Sequence, residues 1–288
     1  MKTGYFPGCS LHSTAKNYEA STQSVLNTLG VQLEEIPDWN CCGSTPAHQT
    51  DHLLALALPA RNLAQAEKAG MKEVMAPCAA CFNHLRTAEI ECKDKPETKV
   101  KVEKAIEMKL NNSVHVMSIL ELLVDRLGID AIAKKVKRPL KGLKVAPYYG
   151  CMLTRPAKIA QFDHPTNPTS MDQLLEALGA TVVPWGAKTD CCGAAHVLTR
   201  LEVVVELSGR IVHQAKDAGA DTIATACPMC MSNLDLRQGA VAKATGRETK
   251  VPVMYLTEIM GMALGIPTSQ LGIGKHVVST APVQAKIS

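Results

Sequence analysis

Ten of the eleven cysteines of this chain form one pattern that occurs twice. In each copy a single cysteine is followed by an adjacent pair with a glycine after it, and then by a Cys-x-x-Cys motif. The gaps between these groups are 31 and 35 residues in the first copy, and 39 and 34 in the second. The first cysteine set is Cys9, Cys41, Cys42, Cys78 and Cys81, and the second is Cys151, Cys191, Cys192, Cys227 and Cys230. Because thiolates are soft ligands, the two sets predict two soft-metal sites.

Five sulfurs per set exceed the four ligands of a structural zinc ion, which typically come from two Cys-x-x-Cys motifs. Each half has only one such motif. Adjacent side chains normally diverge, but Gly43 and Gly193, directly after the pairs, permit backbone geometries in which both sulfurs converge. Cubane clusters take four cysteines, often in compact runs. The pattern therefore favours an atypical iron–sulfur cluster in each half, and zinc sites or redox-active disulfides stay open as alternatives.

The length and composition of the chain fit a protein of two domains. A chain of 288 residues, 46% of them apolar, suffices for two domains of about 140 residues, each with its own core. Aromatic residues make up only 3%, which argues against a stacking surface for single-stranded nucleic acid. The sequence shows no leader-like segment and no membrane-spanning apolar run, so we expect a cytoplasmic protein. In a reducing compartment such cysteine patterns indicate metal binding or catalysis. Cys92 lies outside both sets, and we expect it to be an incidental thiol on a helix.

Other features repeat together with the cysteines, which indicates an internal duplication. Each half begins with a short strand, a helix followed by glycine (Gly30 or Gly179), and a second strand that leads to the Cys-Cys-Gly segment. A long amphipathic helix and a third strand then precede the Cys-x-x-Cys motif. We therefore predict two pseudo-symmetric repeats, each a small parallel-sheet α/β domain with its cysteines at the carboxyl ends of the strands.

The domain boundary is predicted within a basic segment. Residues 134–144 are rich in lysine and include a proline and a glycine, which is typical of a solvated linker. The predicted domains are residues 1–140 and residues 141–288, and the second includes a C-terminal tail. After Gly265 the tail has little periodicity, so we expect it to be loose or to dock on a partner.

The tandem ten-cysteine pattern resembles the cysteine-rich CCG domain, and residues 1–265 resemble the B subunit of heterodisulfide reductase. This resemblance implies that each cysteine set ligates one noncubane 4Fe-4S cluster and that a disulfide is cleaved between the two clusters. It also implies two partners, which are a C-type subunit with ordinary 4Fe-4S clusters and an A-type subunit that carries FAD and bifurcates electrons. Reducing a disulfide takes two electrons, and a cluster typically passes one, so two clusters suit this reaction.

The resemblance leaves alternatives to the catalytic subunit of a disulfide reductase. One is a sulfur-oxidising complex in which this chain acts on thiol-bound sulfur, and another is a dehydrogenase in which it is a non-catalytic electron relay. No G-x-G-x-x-G motif follows a strand, so electrons are expected to come from another polypeptide. We expect a small disulfide or thiol as substrate and no nucleic-acid partner.

Three histidines near the cysteines are candidates for secondary roles. His48 and His196 follow the two Cys-Cys-Gly segments, and either could protonate a departing thiolate because the pKa of histidine lies near neutrality. The alternative is a structural histidine that packs under the loop. His84, three residues after Cys81, could donate a hydrogen bond to a cluster sulfur.

Overall fold

The computed structural model describes residues 1–287 and contains two four-stranded parallel sheets, one in each half of the chain. The predicted fold class, two α/β pseudo-repeats, is confirmed. The first half contains, in chain order, β1 (Lys2–Tyr5), α1 (Gly8–His12), α2 (Lys16–Leu29), β2 (Gln32–Glu35), α3 (Ser44–Thr50), α4 (His52–Lys68), β3 (Glu73–Ala76), α5 (Ala79–Asp94), α6 (Pro96–Ile106), β4 (His115–Ser118), α7 (Ile119–Glu121), a π-helical turn (Leu122–Leu127) and α8 (Ile129–Ala133).

The second half follows the same plan with shorter early elements. It contains β5 (Lys144–Tyr148), α9 (Ala157–Ala160), α10 (Ser170–Ala177), β6 (Thr181–Val182), a 3₁₀ turn (Ala194–His196), α11 (Leu201–Asp217), β7 (Thr222–Thr225), α12 (Pro228–Leu236), α13 (Gln238–Thr245), β8 (Val253–Tyr255), α14 (Leu256–Ala263), α15 (Thr268–Leu271), a 3₁₀ turn (Ile273–Lys275) and α16 (Ala281–Ala285). Within residues 1–287, no helix combines the length and the apolar character needed to cross a bilayer.

Both sheets have the same strand order, which fixes where a site can form. The orders are β2-β1-β3-β4 and β6-β5-β7-β8, and every pairing is parallel. The chain moves from β1 outward to β2 and then crosses to β3 on the other side, so the order reverses between β1 and β3. In open α/β sheets, ligands bind beyond the carboxyl ends of the strands at such a reversal. The equivalent point in the second sheet lies between β5 and β7.

Local sequence signals explain where several elements begin and end. All four residues of β7 are buried, as expected for a central strand of a parallel sheet, whereas the edge strand β2 is largely exposed. Helix α2 ends at Gly30, which adopts a left-handed φ of 88°. Helix α4 begins at Asp51, whose side chain accepts a 2.8 Å hydrogen bond from the backbone N–H of Leu54.

The two halves pack through helices of both. Helix α2 packs against α14, and α5 packs against α9. Tyr18 of α2 stacks on Tyr255, with ring centroids 4.0 Å apart and an interplanar angle of 5°. The Ser21 and Thr257 hydroxyls hydrogen-bond at 2.7 Å, and Leu140 is fully buried at the predicted boundary. The basic segment is thus anchored to the core, and the boundary between residues 140 and 141 stays a prediction.

The C-terminal segment, residues 266–287, returns over the first half. Gly272 packs so closely on Asn17 that an added Cβ would lie 2.6 Å from the Cβ of Asn17. His276 lies 2.9 Å from the buried carboxylate of Glu258, which also accepts a 3.2 Å hydrogen bond from the side-chain amide of Asn17. This differs from the expectation of a loose or partner-bound tail, because a short-range pattern does not reveal contacts with residues about 250 positions away.

A polar cluster on α5 also joins the halves. The Arg86 guanidinium lies 2.6 Å from Glu89 and donates a 2.9 Å hydrogen bond to the side chain of Gln161 in the second half. Next to it, the His115 imidazole lies 3.2 Å from a Glu121 carboxylate oxygen. Hydrogen bonds with Glu121 and Glu89 raise the pKa of His115 to about 9, although burial and the Arg86 charge oppose this effect.

The pKa of His115 predicts a pH dependence of stability. Because its pKa is raised from 6.5 to about 9 on folding, the stabilisation is complete below about pH 6.5 and is lost as the pH rises through about 9. The His115→Gln variant should therefore lose stability relative to the wild type at pH 6.5, and the difference should shrink towards pH 9. Urea unfolding of the anaerobically purified chain at several pH values measures this difference. The exposed His52→Gln change serves as control, and a pH-independent difference for His115→Gln would contradict the assignment.

Candidate metal centre

All ten cysteines of the two sets lie beyond the carboxyl ends of parallel strands. In the first half, Cys9 lies on α1 after β1, and Cys78 and Cys81 lie at the start of α5 after β3. The pair Cys41 and Cys42 lies in the loop between β2 and α3. The second half repeats this arrangement after β5, β6 and β7. The single cysteine and the Cys-x-x-Cys motif therefore flank the strand reversal in each sheet.

Four cysteines of the first set are electrostatically linked. The Cys42 and Cys81 sulfurs are 3.4 Å apart, Cys41 and Cys42 shift each other's pKa, and so do Cys78 and Cys81. Cys9 is exposed and acts on Cys41 electrostatically. The structure thus brings all five side chains to one place, with Cys9 at the solvent side.

The second set surrounds a small cavity. The Cys192 and Cys230 sulfurs are 3.4 Å apart, Cys227 and Cys230 shift each other's pKa, and so do Cys151 and Cys191. All five cysteines line a cavity of about 90 Å³. Its remaining wall is mostly apolar and contains residues of both halves: Ser44, Ala79, Ala80, Tyr149, Met152, Ala194, Ala195 and Met229.

The two sets meet across the interface between the halves. Cys78 and Cys227 each lie at the N-terminus of a helix, and their proximity raises the pKa of Cys78 and lowers that of Cys227. Behind them lies the stacked pair Tyr18 and Tyr255. Burial raises the pKa of both tyrosines far above the usual range, and the charges of Cys78 and Cys227 raise it further. The contact places the two candidate centres side by side.

Protons are shared unequally among the thiols. Hydrogen bonds from Cys41 and Cys81 lower the pKa of Cys42 to about 3, and a hydrogen bond from Cys151 lowers that of Cys191 to about 6. The donors in these pairs have raised pKa values, because each holds its proton against a neighbouring thiolate and burial adds to this effect. Thiolates are the metal-binding form, so metal binding would displace the remaining protons.

Glycines before the first cysteine of each set allow the backbone to approach a sulfur. Gly8 and Gly150 have φ values of +67° and +68°. A Cβ at Gly8 would lie 2.9 Å from the Cys81 sulfur, and one at Gly150 would lie 3.2 Å from the Cys230 sulfur. Sequence reasoning missed these positions, although a glycine precedes the first cysteine in both copies. Five convergent thiols in each set, with a glycine backbone close to one sulfur, fit a polynuclear soft-metal centre.

Comparison with known proteins agrees with this geometry. Residues 3–86 and 145–235 each match the family model described as a cysteine-rich domain, CCG. The chain is 31% identical over 296 residues to the B subunit of the ferredoxin/F420H2-dependent CoB-CoM heterodisulfide reductase of Methanosarcina acetivorans, and the match covers 99% of this chain and 97% of the relative. The chain belongs to the family of heterodisulfide reductase B subunits, with two copies of the CCG domain.

A relative with another name is similarly close. The chain is 34% identical over 275 residues to the 8-methylmenaquinol:fumarate reductase membrane anchor subunit of Wolinella succinogenes, covering 95% of this chain and 96% of that relative. A crystal structure of a hypothetical protein from Helicobacter pylori superposes with a TM-score of 0.77 at 14% identity. It matches 96% of this chain, which spans 52% of that protein, and it shows the fold alone. The relatives of this chain thus include subunits of more than one oxidoreductase complex.

The predicted histidines lie near the cysteines but outside the cavity wall. His48 is exposed in the last turn of α3, and its Nε2 lies 3.0 Å from Nδ1 of the buried His84. His196 is exposed in the 3₁₀ turn after the second pair, and its charge contributes to the lowered pKa of Cys191. The roles of His48 and His196 as proton donors stay predictions, as does the assignment of the ten cysteines as cluster ligands.

A buried tyrosine in the wall of the cavity at the second cysteine set was missed by sequence reasoning. The Tyr149 hydroxyl donates a 2.6 Å hydrogen bond to Asp172, whose other carboxylate oxygen pairs with Lys188. The hydroxyl also accepts a 2.8 Å hydrogen bond from the backbone N–H of Met171. These hydrogen bonds hold the Tyr149 side chain in place beside the second cysteine set. The sequence shows a Tyr-Tyr pair before Cys151, but nothing local links it to Asp172.

The glycines after the cysteine pairs should be required for metal binding. Gly193 has a φ of +79°, and an added Cβ would lie 3.1 Å from the backbone of Val204. The Gly193→Ala change should cost about 1–3 kcal/mol of strain and displace Cys192, so bound iron should fall to about half of the wild-type amount. Iron analysis of the anaerobically purified chain measures this effect. Gly219→Ala is the matched control, since Gly219 has a φ of +73° and open space around its Cα. Equal iron loss in both variants would contradict the specific role of Gly193.

Proposed function

We propose that this chain is the catalytic subunit of a heterodisulfide reductase-like complex and that it reduces a disulfide between two iron–sulfur clusters. The observation that carries the proposal is the meeting of the two cysteine sets at the interface, where Cys78 and Cys227 lie close enough for each to shift the pKa of the other. Two metal centres at these sets would lie on either side of one small substrate. In the proposal all ten cysteines are ligands, and each set holds one noncubane 4Fe-4S cluster.

The reaction is balanced by two electrons and two protons, RSSR + 2e⁻ + 2H⁺ → 2 RSH. The S–S bond breaks, and each sulfur gains one electron and one proton. When bound, each cluster supplies one-electron chemistry and a Lewis-acidic iron. The chain itself supplies the apolar wall of Ala79, Ala80, Met152 and Met229, which admits sulfur and methylene groups and limits the access of water.

Protons and electrons would enter from the solvent-facing side of the cysteine sets. Cys9, Cys41 and Cys191 are exposed there, and His48 and His196 lie in the neighbouring turns. We assign these two histidines as proton donors to the product thiolates. Electrons would come from a C-type subunit with 4Fe-4S clusters. That subunit would receive them from an A-type subunit that carries FAD and bifurcates electrons.

A second candidate function is a non-catalytic electron relay. It is favoured by the 34% identity to a protein named as the membrane anchor of 8-methylmenaquinol:fumarate reductase. A relay transfers electrons between partner centres and has no need of a substrate cavity. The apolar cavity at the second cysteine set, whose wall includes residues of both halves, supports the catalytic proposal over the relay.

Loss of one ligand should remove one of the two clusters. Cys227 is buried and contacts both Cys230 and Cys78, so Cys227→Ala should lower bound iron to about half and abolish disulfide reduction. Cys92 is a matched control, because it is also buried but lies outside both sets. Cys92→Ala should keep the wild-type iron content. Stoichiometric zinc in the wild type, or full iron in Cys227→Ala, would overturn the assignment.

Electron paramagnetic resonance separates the two candidate functions. If the chain is catalytic, oxidised protein should develop a new paramagnetic signal on addition of 2-mercaptoethanol, because a thiol product binds at the centre. Ethanol, which lacks a thiol, should produce no such signal. A relay should give the same spectrum with and without the thiol, and that outcome would favour the second candidate.

A further inference from the structure

The second cysteine of the second pair is held by side chains from two different helices. The Ser208 hydroxyl of α11 donates a 3.3 Å hydrogen bond to the Cys192 carbonyl, and the Asn233 amide of α12 donates a 3.0 Å hydrogen bond to the same oxygen. All three residues are buried. A carbonyl oxygen has two lone pairs, so it can accept both hydrogen bonds at once. The backbone at Cys192 is thus fixed by α11 and α12 together.

The Asn233 amide also contacts the sulfur of Cys192. Its Nδ2 lies 3.7 Å from Sγ of Cys192. A side-chain amide carries two N–H groups on this nitrogen, so one can be donated to the carbonyl and the other to the sulfur. Asn233 lies three residues after Cys230 on α12, and residues three apart on a helix lie on the same face. Among the side chains that the structure describes, this is the only side-chain N–H contact with a sulfur of either cysteine set.

The first half differs at the equivalent places. His84, three residues after Cys81, has its Nδ1 3.0 Å from Nε2 of His48. The loop that leads to the first cysteine pair is anchored before the cysteines, because the Asn62 side chain hydrogen-bonds with the backbone N–H and the carbonyl of Asn40 at 2.8 and 2.9 Å. The two loops are thus fixed at different points, and in the second half the anchoring amide also reaches a sulfur.

We propose that Asn233 is a positioning residue of the second metal site, which holds Cys192 in place and raises the reduction potential of the centre through its N–H contact with the sulfur. The inference rests on the proposed function, since it requires a redox-active metal at the second set. Reduction adds negative charge to a centre, and an N–H group directed at a ligand sulfur stabilises that charge. Asn233 contacts a ligand and acts through it, so it is not a catalytic residue.

The test is a redox titration of the full chain, purified anaerobically with its iron and monitored by electron paramagnetic resonance. Asn233→Leu removes the N–H groups at a similar side-chain size, while Ser208 still holds the Cys192 carbonyl. The variant should therefore retain iron and lower the potential of one transition without changing the other. The expected change is about three- to tenfold in the reduction equilibrium, which is about 30–60 mV for a one-electron couple. If the wild type shows a single transition, the variant should split it into two.

A second variant, Asn233→Asp, keeps the test valid if Asn233→Leu fails to fold. A carboxylate has nearly the size of the amide, donates no hydrogen bond and adds negative charge beside the sulfur. Asn233→Asp should therefore lower the same potential further than Asn233→Leu does. A residue with a merely structural role would not produce this order.

Ser208→Ala is the matched control, because it removes a hydrogen bond to the Cys192 carbonyl and leaves the contact between Asn233 and the sulfur. It should shift neither transition. An equal shift in Ser208→Ala, a shift of both transitions in Asn233→Leu, or unchanged potentials in both Asn233 variants with full iron content would overturn the inference. Absence of iron from the wild type would instead contradict the proposed function.

Discussion

The crowding of ten thiols at one interface is the constraint on which the rest of the structure depends. Thiolates repel one another and are costly to desolvate, so they can converge only if protons or metal ions lie between them. The pKa values indicate how protons reduce this repulsion, because those of Cys42 and Cys191 are lowered to about 3 and about 6 by neighbouring thiols that keep their protons. Convergence also requires backbone close to the sulfurs, which explains the left-handed glycines Gly8 and Gly150. A metal centre would take the place of these protons.

The candidate site also requires the interface between the halves, because the cavity at the second cysteine set is lined by residues of both halves. Ser44, Ala79 and Ala80 of the first half complete its wall. In the other direction, α14 and the tail pack on α2, close to the first set. Duplication of a domain with one cysteine set therefore does more than add a second set. It creates a shared cavity, and the buried contacts of Tyr18 with Tyr255 and of Asn17 with Glu258 hold it in a fixed geometry.

The sequence was sufficient for the fold class and for the grouping of the cysteines, because both depend on local patterns. Strand ends, helix-ending glycines such as Gly30 and the order of the cysteine groups are readable within short windows, and parallel topology then brings distant strand ends together. The docking of the tail and the Tyr149–Asp172 contact could not be predicted, since they join residues without any shared periodicity. Asn233 was missed for a different reason. It matches His84 only by its position three residues after the last cysteine of its set, and a search for residues identical in the two halves does not find it.

The difference between His84 and Asn233 shows that the two halves are not identical around their cysteines. The cysteines and their glycines are repeated, whereas the groups around them are not. His84 of the first half pairs with His48, whereas Asn233 at the equivalent position of the second half has its amide 3.7 Å from the Cys192 sulfur. Tyr149, fixed by Asp172, lines the cavity of the second set. The two candidate sites thus share their cysteine pattern and differ in the electrostatics around it.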